Sequence, residues 1–234
     1  MLQGFTRRRP YPRRMRRLAI GLTAVVLLGA GCGGDGTSRD TAATTAGPGS
    51  PTTAGSPTTV GTTADPDPLA AEVGAVTISG DPIPPFTEGD DPAVGLVAPV
   101  AVGTDYAGNE VTIGAPGTAQ AVLFVAHWCS HCQAEVPAVI AWLEESGGVP
   151  GVDVVIVSVG VDPNQANFPP SAWLEREGWT GPVLRDDAVN SAFAAYAGGA
   201  IPYFVLISAD GVVTSRFLGE TPIETLAGAI EAIG

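Results

Sequence analysis

A chain of 234 residues can form one large domain or two small ones, and its net charge of −13 is very unevenly distributed. Seven of the 11 basic residues are arginines in the first 17 positions. From Cys32 onward there are four arginines, no lysine and 24 acidic residues, a formal charge of −20. Such a surface repels polyanions, which excludes nucleic acid and anionic lipid headgroups as partners.

Residues 1–31 have the pattern of a signal peptide. A basic segment, RRRPYPRRMRR, precedes an apolar segment of about 13 residues, LAIGLTAVVLLGA. As a helix at about 1.5 Å per residue, the apolar segment would span roughly 20 Å, short of the ~30 Å hydrocarbon core of a bilayer. We therefore expect cleavage after export by the general or the twin-arginine route, and not a permanent span.

The segment LLGAGC, which ends at Cys32, resembles a bacterial lipobox, in which the cysteine is lipidated and becomes the mature N-terminus. Gly29 departs from that pattern, since Leu or Val is usual there. The alternative is an unmodified cysteine beside a cleavage site. With Cys32 lipidated, the other two cysteines, Cys129 and Cys132, form a pair in a compartment where disulfides persist.

Residues 32–72 are predicted to be a disordered tether. From Thr37 to Pro68 the sequence is nearly all Thr, Ala, Gly, Ser and Pro, with almost nothing to bury. A flexible coil of this length has a root-mean-square span of roughly 30 Å. Residues 73–234 are then predicted to form one folded domain, because some 160 residues is an ordinary single-domain size.

The first half of this domain is predicted to be mainly extended, with one helix. AVTISGDPIPPF and DPAVGLVAPV indicate an extended, proline-punctuated lead-in, and NEVTIG indicates a short strand. The apolar runs AVLFVA (121–126) and VDVVIVSVGV are typical of strands buried on both faces. Between them, apolar side chains recur at the spacing of one helix face, at Val136, Val139, Ile140 and Leu143.

The second half predicts three helices and a hairpin. SAWLEREG indicates a short helix ending at Gly178, DDAVNSAFAAYAGG another, and YFVLISADGVVTSRFLG a hairpin that turns at Asp210-Gly211. Thr221, Pro222 and Glu224 match a capping box that opens a C-terminal helix. The order β-α-β-α-β-β-α predicts an α/β fold with a mixed central sheet and helices on both faces.

Three short motifs in this order resemble the thioredoxin superfamily. WCSHC opens a helix after a buried strand, EVP follows within that helix, and AIP precedes a late strand. VGLVAP ahead of them and ADG in the hairpin are similar to exported TlpA-like thiol–disulfide oxidoreductases, over roughly residues 94–234. The resemblance implies a thioredoxin-like fold with an N-terminal extended or β extension. It also implies no cofactor beyond a redox-active Cys129–Cys132 disulfide.

Cys129 and Cys132 are the predicted catalytic pair. A cysteine at a helix N-terminus faces unpaired backbone N–H groups and the positive end of the helix dipole, both of which favour the thiolate. Cys129, at that exposed end, is the predicted nucleophile. Cys132, one turn inside the helix, is the predicted resolving thiol, which releases the mixed disulfide.

Four neighbouring residues are predicted to tune the pair. His131 lies between the cysteines, where a positive charge or an N–H donor stabilises the Cys129 thiolate. CSHC resembles the Pro-His dipeptide of strongly oxidising periplasmic relatives, with Ser130 in place of the proline. Trp128 is expected to pack beside the motif. His127 either modulates the site or fills space at the strand end.

The resemblance also implies a cis peptide bond at Ile201–Pro202, beside the sulfurs, where the Ile201 backbone pairs with an extended substrate segment. A trans proline starting a strand is the alternative. Pro137 is expected only to bend its helix. Glu135 and Asp186 match positions that are often acidic in the family, and we expect surface or hydrogen-bonding roles for them and not a proton relay.

Three other functions compete with this hypothesis. A Cu or Zn metallochaperone would use His127, Cys129, His131 and Cys132 as ligands, but their close spacing is unfavourable for a tetrahedral site. A peroxidase of the peroxiredoxin type has Thr or Ser three residues before the reactive cysteine, where this chain has Ala126. A binding module with a purely structural disulfide would resist mild reductants.

The direction of electron flow stays open at this level. His131 favours a thiol oxidase of the CxHC type, whereas the family resemblance favours a disulfide reductase, which we take as the main hypothesis. The expected partners are exported protein thiols and disulfides and an upstream membrane thiol donor. We expect a monomer held at the outer face of the cell membrane only by lipidated Cys32.

Overall fold

The computed structural model describes residues 67–234, so the predicted signal peptide, Cys32 and most of the predicted tether lie outside the described residues. The described chain forms eight strands and four helices: β1 (Thr77–Ser79), β2 (Val100–Thr104), β3 (Glu110–Ile113), β4 (Ala119–Val125), α1 (Ser130–Ser146), β5 (Val152–Ser158), α2 (Pro170–Glu177), β6 (Val183–Arg185), α3 (Ser191–Ala195), β7 (Tyr203–Ile207), β8 (Val213–Leu218) and α4 (Ile223–Glu231). None of these helices is both long and apolar enough to cross a membrane.

A five-stranded mixed sheet in the order β6-β5-β4-β7-β8 forms the centre of the domain. Strands β4, β5 and β6 are parallel, and β7 and β8 are antiparallel to their neighbours. All seven residues of β4 are buried, as its unbroken apolar sequence predicts for a central strand. The predicted α/β fold with a mixed sheet is therefore confirmed.

The N-terminal extension forms a second sheet. Strands β1, β2 and β3 pair antiparallel in that order, with Val102 opposite both Thr77 and Thr112. Its buried side chains, which include Ala101 and Ile113, join one face of the central sheet. The extended lead-in predicted from the sequence is thus a packed layer of the domain.

The two faces of the central sheet contribute to two separate hydrophobic clusters, because successive side chains of a strand point to opposite faces. Val122 and Phe124 of β4 pack with α3 and the small sheet. Leu123 and Val125 pack with α1, α2 and α4. Helices therefore cover both faces, as predicted.

Three local predictions need correction. The short strand β6 was not predicted. Helix α3 is only five residues long and begins at Ser191, after a turn in which Asp186 and Asp187 accept hydrogen bonds from the first backbone N–H groups of the helix. The capping box at Thr221 does not form: α4 begins after Pro222 without a side-chain cap, and the Thr221 hydroxyl donates to Gly219 O instead.

A buried ion pair joins the N-terminal extension to the edge of the central sheet. Arg216 of β8 has no exposed side-chain surface and pairs with Asp91, which is 8% exposed. Its guanidinium also donates to Pro84 O and to the Tyr203 hydroxyl, each at 3.0 Å. A second contact joins the N-terminal extension to α2: Glu72 accepts hydrogen bonds from the backbone N–H and the hydroxyl of Ser171.

Candidate functional site

The two cysteines lie where strand β4 gives way to helix α1. Cys129 is the N-cap of α1 and has an extended backbone, and its Sγ accepts a hydrogen bond from the Cys132 N–H at 3.3 Å. The sulfur thus takes the place of the side-chain oxygen that usually satisfies a free N–H at a helix start. This local geometry brings the two cysteines together at one helix end, as the spacing predicts.

The two thiols differ in their surroundings. Cys132 is completely buried, and burial raises the pKa of its thiol, with the hydrogen bond to Cys129 and the charge of Glu135 acting in the same direction. Cys129 is 7% exposed, so it is less open than the sequence predicted, but it is the outer of the two. Both are free thiols in the structure.

The Ile201–Pro202 peptide bond is cis, as the resemblance implies. The loop that contains it lies against the nucleophile, because the Cys129 thiol donates to Ile201 O at 3.6 Å. Pro202 is buried, and its carbonyl accepts a hydrogen bond from the Gly219 N–H, which fixes the loop to the end of β8. The structure therefore brings Ile201 into contact with the predicted catalytic pair.

Trp128 forms one wall of a cleft beside Cys129. Its side chain is 41% exposed, and its Nε1–H donates to Gly160 O at 2.7 Å. Ile201 and Phe193 also line the cleft, which has a volume of about 280 Å³. Trp128 is therefore not a core aromatic residue but a fixed, partly exposed surface next to the sulfur.

His127 is fully buried and holds a neighbouring loop in place. Its Nδ1 lies 2.7 Å from Ala166 O, and its Nε2 accepts a hydrogen bond from the Asp162 N–H at 3.3 Å. A neutral imidazole protonated at Nδ1 satisfies both contacts. Neither nitrogen is directed at a sulfur by these bonds, so the structure supports an anchoring role and not modulation of the thiols.

His131 and Ser130 are on the exposed side of the helix start. The His131 side chain is 66% exposed, and its Nδ1 lies 3.2 Å from Oε1 of Glu220, which is 50% exposed. In residues 67–234 no group of three or more His, Cys, Asp or Glu side chains is arranged to hold a metal ion. Both ring nitrogens of His127 have backbone partners, and Nδ1 of His131 lies against the Glu220 carboxylate.

Glu135 was expected at the surface or in a hydrogen bond, and it is buried, with 5% of the residue exposed. Oε2 accepts a hydrogen bond from the Thr221 N–H, whereas Oε1 has no partner. Burial raises the pKa of Glu135, the Thr221 N–H opposes this, and the charge of Glu220 adds to the rise. The charge of Glu135 in turn contributes to the raised pKa of the Cys132 thiol.

Asp186 and Pro137 have structural roles. Asp186 is buried and accepts hydrogen bonds from the backbone N–H groups of Asp187, Ala192 and Phe193, which tie β6 to the start of α3. Pro137 lies inside α1, which continues past it to Ser146. The hydrogen-bonding role expected for Asp186 is therefore what the structure shows.

Sequence reasoning did not identify Glu220 or Gly160 as part of the site. Glu220 is 89 positions from His131, and only the folded chain brings the two together. Gly160 has a left-handed backbone (φ +57°), and its N–H and C=O bind Asn190 and Trp128. A glycine two residues after a buried strand is the local signal for that turn.

The family follows from comparison with known proteins. Residues 78–233 match the Redoxin family model, which covers more than half of the chain. The chain belongs to the Redoxin family. The curated proteins contain no match. This Redoxin chain is therefore confirmed as a member of the thioredoxin superfamily, as its motifs predicted.

Solved structures similar to this Redoxin chain include three bacterial proteins. A thioredoxin-family thiol:disulfide interchange protein from Chlorobium tepidum is 20% identical over 59% of this chain and 96% of its own, with a TM-score of 0.49. A secreted Mycobacterium tuberculosis disulfide oxidoreductase is 21% identical over 56% of this chain and 94% of its own, with a TM-score of 0.46. StoA from Bacillus subtilis is 20% identical over 52% of this chain and 89% of its own, with a TM-score of 0.45.

The geometry and the Redoxin family agree on one class of chemistry. An outer thiol at a helix N-terminus, an inner thiol one turn along and a cis-proline loop against the outer sulfur are the components of thiol–disulfide exchange. The chain is a thiol–disulfide oxidoreductase.

Proposed function

We propose that this protein reduces disulfides in exported proteins. The observation that carries the exchange chemistry is the asymmetry of the two sulfurs, and the reducing direction rests on the resemblance to exported TlpA-like proteins. Cys129 lies at the helix start, next to the cleft and the cis-proline loop, while Cys132 is completely enclosed one turn further in. A substrate disulfide therefore reaches Cys129 alone, and Cys132 acts only afterwards.

The reaction has two exchanges. The Cys129 thiolate attacks one sulfur of the substrate disulfide, so that the substrate S–S bond breaks, a mixed disulfide forms and one substrate thiolate leaves. Cys132 then loses its proton and attacks Cys129 Sγ, which releases the second substrate thiolate and closes the Cys129–Cys132 disulfide. Two electrons pass to the substrate, whose sulfurs take up two protons.

Glu135 is the group that takes the Cys132 proton in this scheme. A thiol whose pKa is raised by burial attacks slowly unless a base accepts its proton. Oε1 of Glu135 is buried and has no hydrogen-bond partner. The negative charge of Glu135 raises the pKa of the Cys132 thiol, so it is unfavourable for both groups to be ionised at once. A depression lined by Glu135, Ala138 and Glu220 connects this carboxyl to solvent. This proposal departs from the sequence-based expectation, in which Glu135 has a surface or hydrogen-bonding role and is not a proton relay.

Trp128 and Ile201 are the substrate-binding surfaces in the proposal. Both residues line the cleft beside Cys129, and in the proposal a side chain next to the substrate cysteine enters this cleft. An extended substrate segment pairs with the Ile201 backbone by strand addition. The rigid attachment of Trp128 to Gly160 keeps this surface formed before substrate arrives.

The proposal also includes the cellular setting. The predicted signal peptide and lipobox support export and anchoring at the outer face of the cell membrane through lipidated Cys32. A monomeric domain on a tether of roughly 30 Å would reach both exported substrates and a membrane thiol donor that reduces the Cys129–Cys132 disulfide again. No cofactor other than this disulfide is needed.

Trapping the mixed disulfide tests the mechanism. With Cys132→Ser, a disulfide-bonded peptide forms a stable adduct at Cys129, which intact-protein mass spectrometry detects. Cys129→Ser forms no adduct, because Cys132 is enclosed. Adducts on Cys132 in the Cys129→Ser variant, or reduction of the peptide by that variant at the wild-type rate, would disprove the assignment.

A CxHC-type thiol oxidase is the second candidate, and the position of His131 favours it. The two candidates differ in the reduction potential of the Cys129–Cys132 pair. Thioredoxin lies near about −270 mV and the strong periplasmic oxidant near about −120 mV. Equilibration with glutathione buffers measures this quantity: a value near the first supports the reductase, and a value near the second supports the oxidase.

A further inference from the structure

The contact between Glu220 and His131 has no part in the mechanism above. Glu220 lies between β8 and α4, and its Oε1 is 3.2 Å from Nδ1 of His131. His131 is one of only two residues between the catalytic cysteines. A carboxylate from the C-terminal part of the chain thus binds the side chain that the sequence identified as a tuner of the thiols.

We infer that Glu220 positions the His131 imidazole and weakens its attraction for the Cys129 thiolate, so that the dithiol becomes a stronger reductant. This inference rests on the proposed function. Glu220 is a positioning residue in this scheme, because it acts through His131 and forms neither of the hydrogen bonds at the Cys129 sulfur.

The hydrogen bonds of the outer sulfur involve groups other than His131. Cys129 Sγ accepts from the Cys132 N–H and donates to Ile201 O, and within residues 67–234 His131 forms no hydrogen bond to either sulfur. Its Nδ1 is held by the carboxylate instead. A positive imidazole close to Cys129 would stabilise the reduced form, and a carboxylate at 3.2 Å offsets much of that charge.

No other cation in the described chain substitutes for His131. The three arginines of residues 67–234 are engaged elsewhere: Arg176 donates to Asn167, Arg185 to Thr104 and Ala71, and Arg216 to Asp91. The His131–Glu220 pair is therefore the adjustable charge near the dithiol. Glu220 also contributes to the raised pKa of Glu135, so its charge reaches the inner thiol's proton acceptor as well.

The test is the equilibrium between protein disulfide plus two glutathione thiols and protein dithiol plus glutathione disulfide. Glu220→Gln removes the charge and keeps the shape of the side chain. Glu224→Gln, on an exposed site of α4, is the matched control, because it removes the same charge four residues away. The two substitutions are also made in a His131→Gln background, and alkylation of free thiols measures the reduced fraction.

We expect Glu220→Gln to shift this equilibrium about threefold toward the dithiol, the size typical of one partly exposed charge pair. That corresponds to about +14 mV, since a tenfold change in a two-electron couple is about 30 mV. Glu224→Gln shifts it by much less. In the His131→Gln background the shift from Glu220→Gln falls to less than half, because only the direct effect of the carboxylate remains.

Two results would overturn the inference. One is an unchanged equilibrium in Glu220→Gln, and the other is an equal shift with and without His131, which would mean a plain charge effect. Failure of the proposed function looks different. In that case the wild-type protein itself does not equilibrate with glutathione, or its potential lies near that of the strong oxidants.

Discussion

Replacement of Asp91 by asparagine removes the negative charge that pairs with the buried guanidinium of Arg216. Arg216 has no exposed side-chain surface, and four hydrogen bonds hold its guanidinium, two of them to the Asp91 carboxylate. Asparagine presents an amide N–H₂ where a second acceptor is needed, so one guanidinium N–H loses its partner. A buried charge left alone in this way costs about 3–5 kcal/mol.

That loss is large against the ~5–15 kcal/mol by which ordinary domains are stable. For a domain of this size, about 1 kcal/mol shifts the midpoint of thermal unfolding by roughly 2–4 °C, so Asp91→Asn is expected to lower it by roughly 6–20 °C. Urea and thermal unfolding followed by circular dichroism measure both quantities. The control is Asp90→Asn at the exposed neighbouring position, for which we expect a change of less than about 0.5 kcal/mol.

The pH dependence provides a second check on the same pair. The hydrogen bonds from Arg216 hold the pKa of Asp91 below its ordinary value. The stabilisation is therefore complete above an ordinary aspartate pKa of about 4 and is lost as pH falls through the lower, folded value. The difference between wild type and Asp91→Asn should shrink in that acidic range. Equal stability of Asp91→Asn and Asp90→Asn at pH 7 would refute the reasoning.

Three further predictions concern the site and its support. Glu135→Gln should slow the closing attack of Cys132 by about 10²-fold while the first attack by Cys129 keeps its rate, which quenched-flow trapping of the mixed disulfide resolves. Because burial raises the pKa of Glu135 in the folded state, wild-type stability declines as pH rises from the ordinary glutamate pKa of about 4.3 through the raised, folded value, and Glu135→Gln should remove this decline in urea titrations across that range. Trp128→Phe loses the hydrogen bond to Gly160 O. We expect KM for a disulfide-bonded peptide to rise about threefold, with little change in the free energy of unfolding. An unchanged KM would contradict a role of Trp128 in substrate binding. Tyr196→Phe leaves the buried Pro99 carbonyl, now 2.6 Å from the hydroxyl, without its donor and should cost about 1–3 kcal/mol in urea unfolding.

The centre of the fold was predictable because its signals are local. An unbroken apolar run that ends at a CxxC motif predicts β4 and the start of α1, and both are where expected. Strand β6 was missed because three residues are too few for an apolar pattern to indicate a strand. The capping box failed because the Thr221 N–H, which a local glutamate was expected to bind, has the Glu135 carboxylate from α1 as its partner.

The site was only half predictable, because some of its features follow from local motifs and others depend on contacts between residues that are distant in sequence. The two cysteines and the cis-proline loop follow from motifs, and their close approach is what the structure shows. The functions of the residues around them depend on contacts between distant positions. The sequence allows His127 either to modulate the site or to fill space at the strand end, and only the folded chain shows that its partners are backbone groups at Asp162 and Ala166. In the same way, only the folded chain shows that His131 contacts Glu220.

The enclosure of His127 has a practical consequence for chemical labelling. The chain has two histidines, and the ring of one of them is sealed between backbone groups. An acylating reagent such as diethyl pyrocarbonate therefore meets a single accessible imidazole, which belongs to the residue between the sulfurs. The rate of acylation of His131, compared between oxidised and reduced protein, therefore reports changes in the surroundings of the two thiols.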